Sequence, residues 1–278
     1  MLQLGAFKVI PLSDGHFFLD AGQMFGIIPK ALWAKEFEAD DMNRIPLYIN
    51  PLLVDTGTSL ILIDPGIGDR YEEKFARIYN ITREKNHLLH FLANAGYTPD
   101  QVTHVIYSHL HFDHCGGSTR VDSDGNVRVT FPNAEFFAPS GEWQFLEFPN
   151  ELTKPSYRPE WVAPVVASGK FKQVEGDSTI LPGFSYIRSP GHIPNHASIL
   201  IQSEGMHLIY WGDLFPFLVH LRSAWIAALD THPLTTLETK KTLLKRALDE
   251  GWHYHYFYHE KKPLYTAEEI KEFLKGNK

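Results

Sequence analysis

The chain has little cysteine, no long apolar run and no excess of positive charge, and each of these absences argues against a class of proteins. Cys115 is its single cysteine, which excludes an internal disulfide, and it has no run of about 18 apolar residues that would cross a membrane. The formal net charge of −7 offers no broad basic surface to nucleic acid, so a nuclease function loses support. The first eight residues lack the layout of a signal peptide. We therefore expect a cytoplasmic protein that has neither nucleic acid nor a membrane as a partner.

A hydrophobic content of 44% in 278 residues predicts a large core, and one α/β domain spanning residues 1–278 is ordinary at this length. Apolar periodicity predicts strands at residues 7–12, 48–54, 60–64, 102–108, 134–138, 179–181, 184–188, 197–202, 207–211 and 252–258. It predicts helices at residues 71–78, 86–95 and 235–250, and a last helix that begins at Thr266 and Glu269. This order suits two sheets packed face to face with helices outside. Residues 19–46 are expected to form an N-terminal loop, and residues 149–164 an irregular surface insertion.

The most informative segment holds three histidines and one aspartate between His109 and His114, directly after an apolar strand-like run. Strand alternation places His109 and His111 on one side of the chain, and a turn into a helix can bring Asp113 and His114 to a second point nearby. Imidazole and carboxylate suit Zn²⁺, Fe, Mn or Co, and two metals about 3.5–4 Å apart can hold a hydroxide between them. The segment therefore predicts a site for two divalent transition-metal ions, zinc before the others, and hydrolytic chemistry.

Two metals need more ligands than one loop supplies, so others must come from later segments. His192, Asp213 and His259 each follow a β-rich apolar run, where loops converge on a site. We expect His192 to complete the ligand set that begins with His109 and His111. We expect His259 to join Asp113 and His114, and the two oxygens of Asp213 to bridge the two metals. His253 and His255 share a strand face with His259, but only His259 stands at the strand's end.

These motifs, in this order, resemble the metallo-β-lactamase superfamily, from about Leu47 to His259. The resemblance implies an αββα sandwich with the metals at one edge of the sheets. It implies that Asp64, in an Asp-Pro-Gly sequence, orients a ligand histidine, although such a residue could also serve only the turn. It implies that His196, four residues beyond His192, supports the site without binding metal. Cys115 follows the ligand loop and is expected to be packed beside the metals rather than reactive.

The N-terminal segment and two later ones resemble the quorum-quenching N-acyl homoserine lactonase branch of this superfamily, which shares its outline with organophosphate hydrolases. The implied substrate is a small lactone ring with an apolar tail. The segment from Leu19 to Trp33 does not alternate like a strand, so we interpret it as a pocket wall or a homodimer contact, with a buried core segment as the alternative. The expected pocket residues are Met24, Phe25, Trp33, Phe112, Phe215, His220 and Trp225.

One position departs from that branch. Several such lactonases carry a tyrosine three residues after the bridging aspartate, and this chain has Pro216 there. Proline has no hydroxyl that could polarise a lactone carbonyl, so another group, with His220 as a candidate, or the metals alone must do so. In the expected mechanism a metal-bridging hydroxide attacks the carbonyl, and Asp113 passes a proton to the leaving alkoxide.

Other functions stay open at this stage. A phosphotriesterase or arylesterase would use the same metals and differ in pocket shape. A thioesterase acting on an acidic thiol carrier would need clustered basic residues, and none stand beside the motifs. A di-iron oxidoreductase on the same scaffold is the alternative from a different class, and a noncatalytic metal-binding protein has the least support because every ligand position is filled.

Overall fold

The strands of the protein form two large sheets, seen in a computed structural model that describes residues 1–258 and 262–276. The strands are β1 (Leu2–Leu4), β2 (Phe7–Pro11), β3 (His16–Asp20), β4 (Arg44–Tyr48), β5 (Leu52–Asp55), β6 (Leu60–Ile63), β7 (His104–Ile106), β8 (Thr119–Val121), β9 (Val127–Val129), β10 (Glu135–Pro139), β11 (Phe171–Val174), β12 (Thr179–Leu181), β13 (Phe184–Arg188), β14 (Ala197–Ser203), β15 (Met206–Tyr210), β16 (His253–His255) and β17 (Leu264–Tyr265). The α-helices are α1 (Ala21–Phe25), α2 (Lys30–Trp33), α3 (Glu73–Ile78), α4 (His87–Asn94), α5 (Phe112–Cys115), α6 (Glu142–Glu147), α7 (Pro159–Ala167), α8 (Pro233–Asp249) and α9 (Ala267–Gly276).

The first sheet has the strand order β1-β2-β5-β6-β7-β10-β11, and the second has the order β12-β13-β14-β15-β16-β17. Strands β6, β7, β10 and β11 run parallel, as do β15 and β16, while the other neighbours in both sheets are antiparallel. Strands β3 and β4 form a separate hairpin, and so do β8 and β9. The loops that follow β6, β7, β13, β15 and β16 carry the candidate site.

Side-chain alternation along the strands builds a layered core. On β6, Ile61 and Ile63 belong to the cluster between the two sheets, whereas Leu60 and Leu62 face the helices on the other side. Strand β14 behaves likewise, with Ile199 in the cluster between the sheets. Helices α4 and α7 cover the first sheet, and α8 and α9 cover the second. The sequence prediction of two sheets with helices outside, an αββα sandwich, is confirmed.

Several boundaries differ from the sequence prediction. The single strand expected at residues 48–54 is two strands, because the chain turns at Ile49–Pro51 and the Asn50 amide donates to the carbonyl of Phe257 instead of continuing a ladder. Helix α8 begins at Pro233, before the expected start at residue 235, since proline suits the first turn of a helix. The last helix has the expected start, with the amide of Thr266 donating to Glu269.

Two segments interpreted as irregular contain helices. Residues 19–46 hold α1 and α2 and the start of β4, and residues 149–164 run into α7, whose Trp161 is buried. Residues 149–164 are not irregular throughout because proline at the first position of α7 starts a helix, and residues 19–46 are not one loop because the Asp20 side chain caps α1. Within the described residues, no helix is long and apolar enough to span a membrane.

Candidate metal centre

Loops from both sheets meet at the candidate site. After β7 the chain passes through His109 and His111 into α5, which carries Asp113 and His114. Asp213 lies in the 3-10 turn Gly212–Leu214 after β15. Gly212 has φ of 57°, and a Cβ there would come within 2.6 Å of a ring nitrogen of His196, so only glycine lets this turn pack so close to the site.

The first ligand set contains His109, His111, His192 and Asp213, all buried, each with one donor atom within 4.8 Å of the others. Nε2 of His192 is 3.1 Å from Nδ1 of His111 and 3.3 Å from Oδ2 of Asp213. Nε2 of His109 is 3.9 Å from the same Asp213 oxygen. Ligand atoms in a tetrahedral zinc shell stand about 3.4 Å apart, given bonds of about 2.1 Å, so this set has the dimensions of a metal site.

The second set lies on the other side of Asp213. Nε2 of His114 is 3.1 Å from Oδ1 of Asp213 and 3.8 Å from Oδ2 of Asp113. Oδ1 of Asp213 therefore faces His114, and Oδ2 faces the histidines of the first set. The remaining predicted ligand of this set, His259, lies outside the described residues, since residues 259–261 are not described.

A tyrosine that the sequence analysis did not select enters the second set. The Tyr258 hydroxyl donates to Oδ2 of Asp113 at 2.6 Å, and it lies 2.9 Å from Nε2 of His114 and 3.3 Å from Oδ2 of Asp213. Its position directly before His259, a predicted ligand, is the feature of the sequence that could have identified Tyr258 as a site residue. The chain thus brings a phenol to the site from the end of β16, although it has Pro216 in place of the expected tyrosine.

The donor atoms fit metal ions. Nε2 of His109 is buried and has no hydrogen-bond partner among the described residues, which would be costly unless a cation occupies the space that it faces. Burial and the neighbouring histidines hold the pKa of His109 well below its usual value, so its ring is neutral and able to bind metal. Burial opposes a charge on His114, but the carboxylates of Asp213, Asp113 and Asp64 outweigh it and raise the pKa of His114.

Asp64 acts as an acceptor for the ligand loop. Its buried carboxylate accepts from the Ser108 amide at 2.8 Å and the Tyr210 hydroxyl at 2.8 Å, and Oδ2 lies 2.7 Å from Nδ1 of His114. Its backbone has φ of 45°, an uncommon conformation for a residue other than glycine. The carboxylate is thus saturated with hydrogen bonds and fixes the orientation of the His114 ring.

Two further side chains hold ligands in place. Asp230 lies 3.0 Å from Nδ1 of His192, which leaves Nε2 of that ring facing the first set. The amide of Asp213 donates to Nε2 of His196 at 3.0 Å, while the other ring nitrogen of His196 lies 2.8 Å from the Ser189 hydroxyl. His196 therefore contacts the backbone of Asp213 through one ring nitrogen and Ser189 through the other. Asp230 was missed because nothing near it in the sequence marks it as a partner of a histidine 38 residues away.

A cavity of about 600 Å³ has at its floor four residues of the two sets, namely His111, Asp113, His192 and Asp213. Its walls include Phe17, Met24, Leu47, Phe112 and the ring of Tyr79. Four apolar side chains with exposed surface stand at its mouth, namely Met42, Ile78, Leu152 and Leu229. Among the described residues of the lining, Arg44 is the only lysine or arginine, and it is ion-paired with Asp40 at 2.8 Å.

The predicted pocket residues divide into two groups. Met24 and Phe112 line the cavity. Phe25, Trp33 and Trp225 do not, because they pack on one another in the core, with the Phe25 and Trp33 rings stacked at 5.3 Å.

Phe215 and His220 also lie outside the lining, which corrects the sequence prediction. Phe215 packs against Trp211 in the core under the second sheet. His220 stacks on Phe25, and its Nε2 lies 2.9 Å from the carbonyl of Met24. It supports the segment that carries Met24 and does not face the site, so it cannot replace the missing hydroxyl.

The remaining predictions concern residues near the ligands. His255 is fully buried against Tyr210 with ring centroids 4.9 Å apart, and Nδ1 of His253 accepts from the Ala267 amide. Neither histidine belongs to a ligand set. Cys115 is buried beside the ligand loop, and burial raises the pKa of its thiol well above the ordinary value, which makes it unreactive.

The layered fold with a histidine-rich ligand cluster at one edge of its two sheets defines a class of metal-binding α/β proteins. The chain belongs to the metallo-beta-lactamase superfamily, whose family model matches residues 44–254. Among curated relatives, an N-acyl homoserine lactonase of Bacillus cereus is 29% identical over 176 residues, which cover 60% of this chain and 63% of that protein. The lactonase AiiA of Bacillus thuringiensis subsp. kurstaki is 30% identical over 156 residues, which cover 55% and 54%. The matches thus span less than two thirds of these relatives.

Solved structures extend the likeness over most of the chain. A probable metal-dependent hydrolase from Staphylococcus aureus has a TM-score of 0.86 at 29% identity, covering 95% of this chain and 93% of that one. AidC, a dizinc quorum-quenching lactonase solved with the product N-hexanoyl-L-homoserine, has a TM-score of 0.76 at 26% identity, covering 95% and 92%. The family expected from the motifs is therefore confirmed.

Proposed function

We propose that the chain is a binuclear metal-dependent hydrolase that opens N-acyl homoserine lactones. The observation that carries this proposal is the first ligand set, with His114 and Asp113 on the other side of its Asp213, at the floor of a largely apolar cavity. The lactonase relatives support the same substrate class.

The proposed ligands divide between two metals. His109, His111 and His192 would hold one, and Asp113, His114 and His259 the other, with Asp213 between them. When bound, such metals supply Lewis-acid activation of a water molecule and of the substrate carbonyl. Zinc is the proposed metal.

Side chains of the protein complete the proposed reaction. Asp113 lies on the cavity floor and is the group proposed to carry a proton to the leaving alkoxide, because burial raises the pKa of its carboxyl. The Tyr258 hydroxyl donates its one proton to Asp113 at 2.6 Å, and on substrate binding it is proposed to turn that proton toward a substrate oxygen instead. It would supply the hydroxyl that Pro216 lacks.

The cavity also supports a neutral substrate with an apolar tail. Arg44, the only lysine or arginine among its described lining residues, is ion-paired with Asp40, which leaves no free basic side chain for a phosphorylated or acidic thiol carrier. The apolar side chains at the mouth would bury the tail as it leaves the floor.

A substrate panel tests this proposal. The zinc-loaded protein is assayed for kcat/KM with homoserine lactones of four to twelve acyl carbons, an aryl acetate, paraoxon and an S-acyl glutathione. Asp213→Ala is the inactive reference, and Asp124→Ala, on the exposed turn between β8 and β9, is the matched control. We expect lactones to be the best substrates. Inert lactones beside active paraoxon or aryl acetate would refute the lactonase assignment and leave a binuclear hydrolase of another specificity.

A further inference from the structure

A buried carboxylate outside the ligand sets contacts the ligand loop from behind. Glu142 is the first residue of α6 and has 0% of its surface exposed. Its Oε2 accepts a hydrogen bond from the backbone amide of Leu110 at 3.0 Å. Leu110 lies between His109 and His111, so this bond fixes the peptide that separates two proposed ligands.

A second contact leads from Glu142 to the same ligands. The Tyr157 hydroxyl faces the Glu142 carboxylate, and the Tyr157 ring packs edge-on against His111 with centroids 4.8 Å apart. The side chain of Asn195 also faces Glu142, and Asn195 follows His192 by three residues. Glu142 therefore lies next to the segments that carry all three histidines of the first set.

The carboxylate has no lysine or arginine partner among the residues that the structure describes, and the charge that acts on it is that of His192, a proposed ligand of the first set. Burial raises its pKa to about 7, against the lowering influence of the Leu110 amide, the Asn195 side chain and His192. A buried acid destabilises the fold unless a charge nearby compensates it.

We propose that Glu142 is a positioning residue for the metal centre, which holds the segment from His109 to His111 in the conformation that binds metal and is itself stabilised by the metal charge. The inference rests on the proposed two-metal site. The buried charge of Glu142 should destabilise the metal-free protein and stabilise the zinc-loaded protein. Removing the carboxylate should therefore change the Tm of these two forms in opposite directions.

Glu142→Gln and Glu142→Ala test this role. Glutamine keeps an acceptor for the Leu110 amide and removes the charge, whereas alanine removes both. The matched control is Glu147→Gln, which removes an exposed carboxylate at the other end of α6. For each full-length protein, zinc affinity is measured by competition with a chelator, and Tm is measured with and without zinc.

We expect zinc affinity to fall about tenfold in Glu142→Gln and about 10²-fold in Glu142→Ala, as for other groups that orient metal ligands. The Tm of metal-free Glu142→Gln should equal or exceed that of the metal-free wild type, while Glu147→Gln matches the wild type throughout. Zinc affinity within twofold of the wild type in both Glu142 variants, or a loss of Tm in metal-free Glu142→Gln, would overturn the proposal. Wild-type protein that binds no metal would instead refute the proposed function.

Discussion

The hydroxyl of Tyr258 donates a 2.6 Å hydrogen bond to Asp113, and this bond joins the end of β16 to the helix that carries half of the ligand loop. It places a phenol among the carboxylates and histidines of the second ligand set, 2.9 Å from His114. A group so close to the proposed reacting atoms is the best candidate for the donor that Pro216 cannot provide.

Replacing this hydroxyl should therefore lower the rate more than it lowers substrate binding. For Tyr258→Phe we expect kcat to fall about 10²-fold with KM changed less than threefold, the loss typical of one donor to a developing oxyanion. Tyr97→Phe is the matched control, because the Tyr97 hydroxyl also donates to a carboxylate, Asp55, away from the cavity. Equal kcat in both variants would show that the Tyr258 hydroxyl has no part in the reaction.

The carboxylate behind His192 should govern metal affinity. Asp230→Asn keeps the size of the side chain but removes the charge that faces Nδ1 of His192 at 3.0 Å. We expect zinc affinity to fall by about 10- to 10²-fold, measured by chelator competition. Asp124→Asn, on an exposed turn, should leave it unchanged. An unchanged affinity in Asp230→Asn would mean that His192 needs no such partner.

The mouth of the cavity should set the preference for acyl length. Each buried CH₂ contributes up to about 0.8 kcal/mol, so kcat/KM should rise with chain length until the tail passes the apolar rim. Leu152→Ala should flatten this rise for the longer tails. Leu234→Ala is the control, since Leu234 is 79% exposed against 75% for Leu152 but does not line the cavity. Identical length profiles for the two variants would place the tail elsewhere.

A buried lysine should make stability depend on pH. Burial lowers the pKa of Lys240 to about 7, while its Nζ donates to the carbonyl of Trp225 at 2.6 Å. Between pH 7 and 10.5 the unfolded chain binds a proton that the folded chain lacks, so the free energy of unfolding rises with pH by up to about 1.4 kcal/mol per unit. Denaturant unfolding from pH 7 to 10 should show a smaller rise in Lys240→Met than in the wild type. The exposed neighbour provides the control variant Lys241→Met, and equal slopes in all three proteins would contradict the account.

Local spacing allowed much of the site to be predicted. Four candidate ligands stand within six residues after a strand, and His192 and Asp213 each follow the end of a strand. The spacing of metal-binding residue types is therefore visible in the sequence alone. The αββα layering was also predictable from local sequence. The alternation of side chains on β6 and the apolar faces of the helices determine which faces of these elements are buried.

What could not be predicted depends on contacts between distant segments. Glu142 and Asp230 are separated in sequence from the residues that they hold, by 32 positions from Leu110 and 38 from His192. The sequence cannot show whether Phe25 and Trp33 line the cavity, because an apolar segment with glycines has the same composition whether it lines a pocket or fills a core. Their mutual stacking in the core decides between the two.

The central claim is that two metals act together through Asp213, and a zinc titration of the metal-free protein tests it most directly. Lactone hydrolysis and bound zinc are measured in the same samples, with Asp213→Ala beside the wild type. The account predicts that activity rises until about two zinc ions are bound per chain and that Asp213→Ala binds less zinc and stays inactive. Full activity at one zinc per chain, or an active Asp213→Ala, would contradict it.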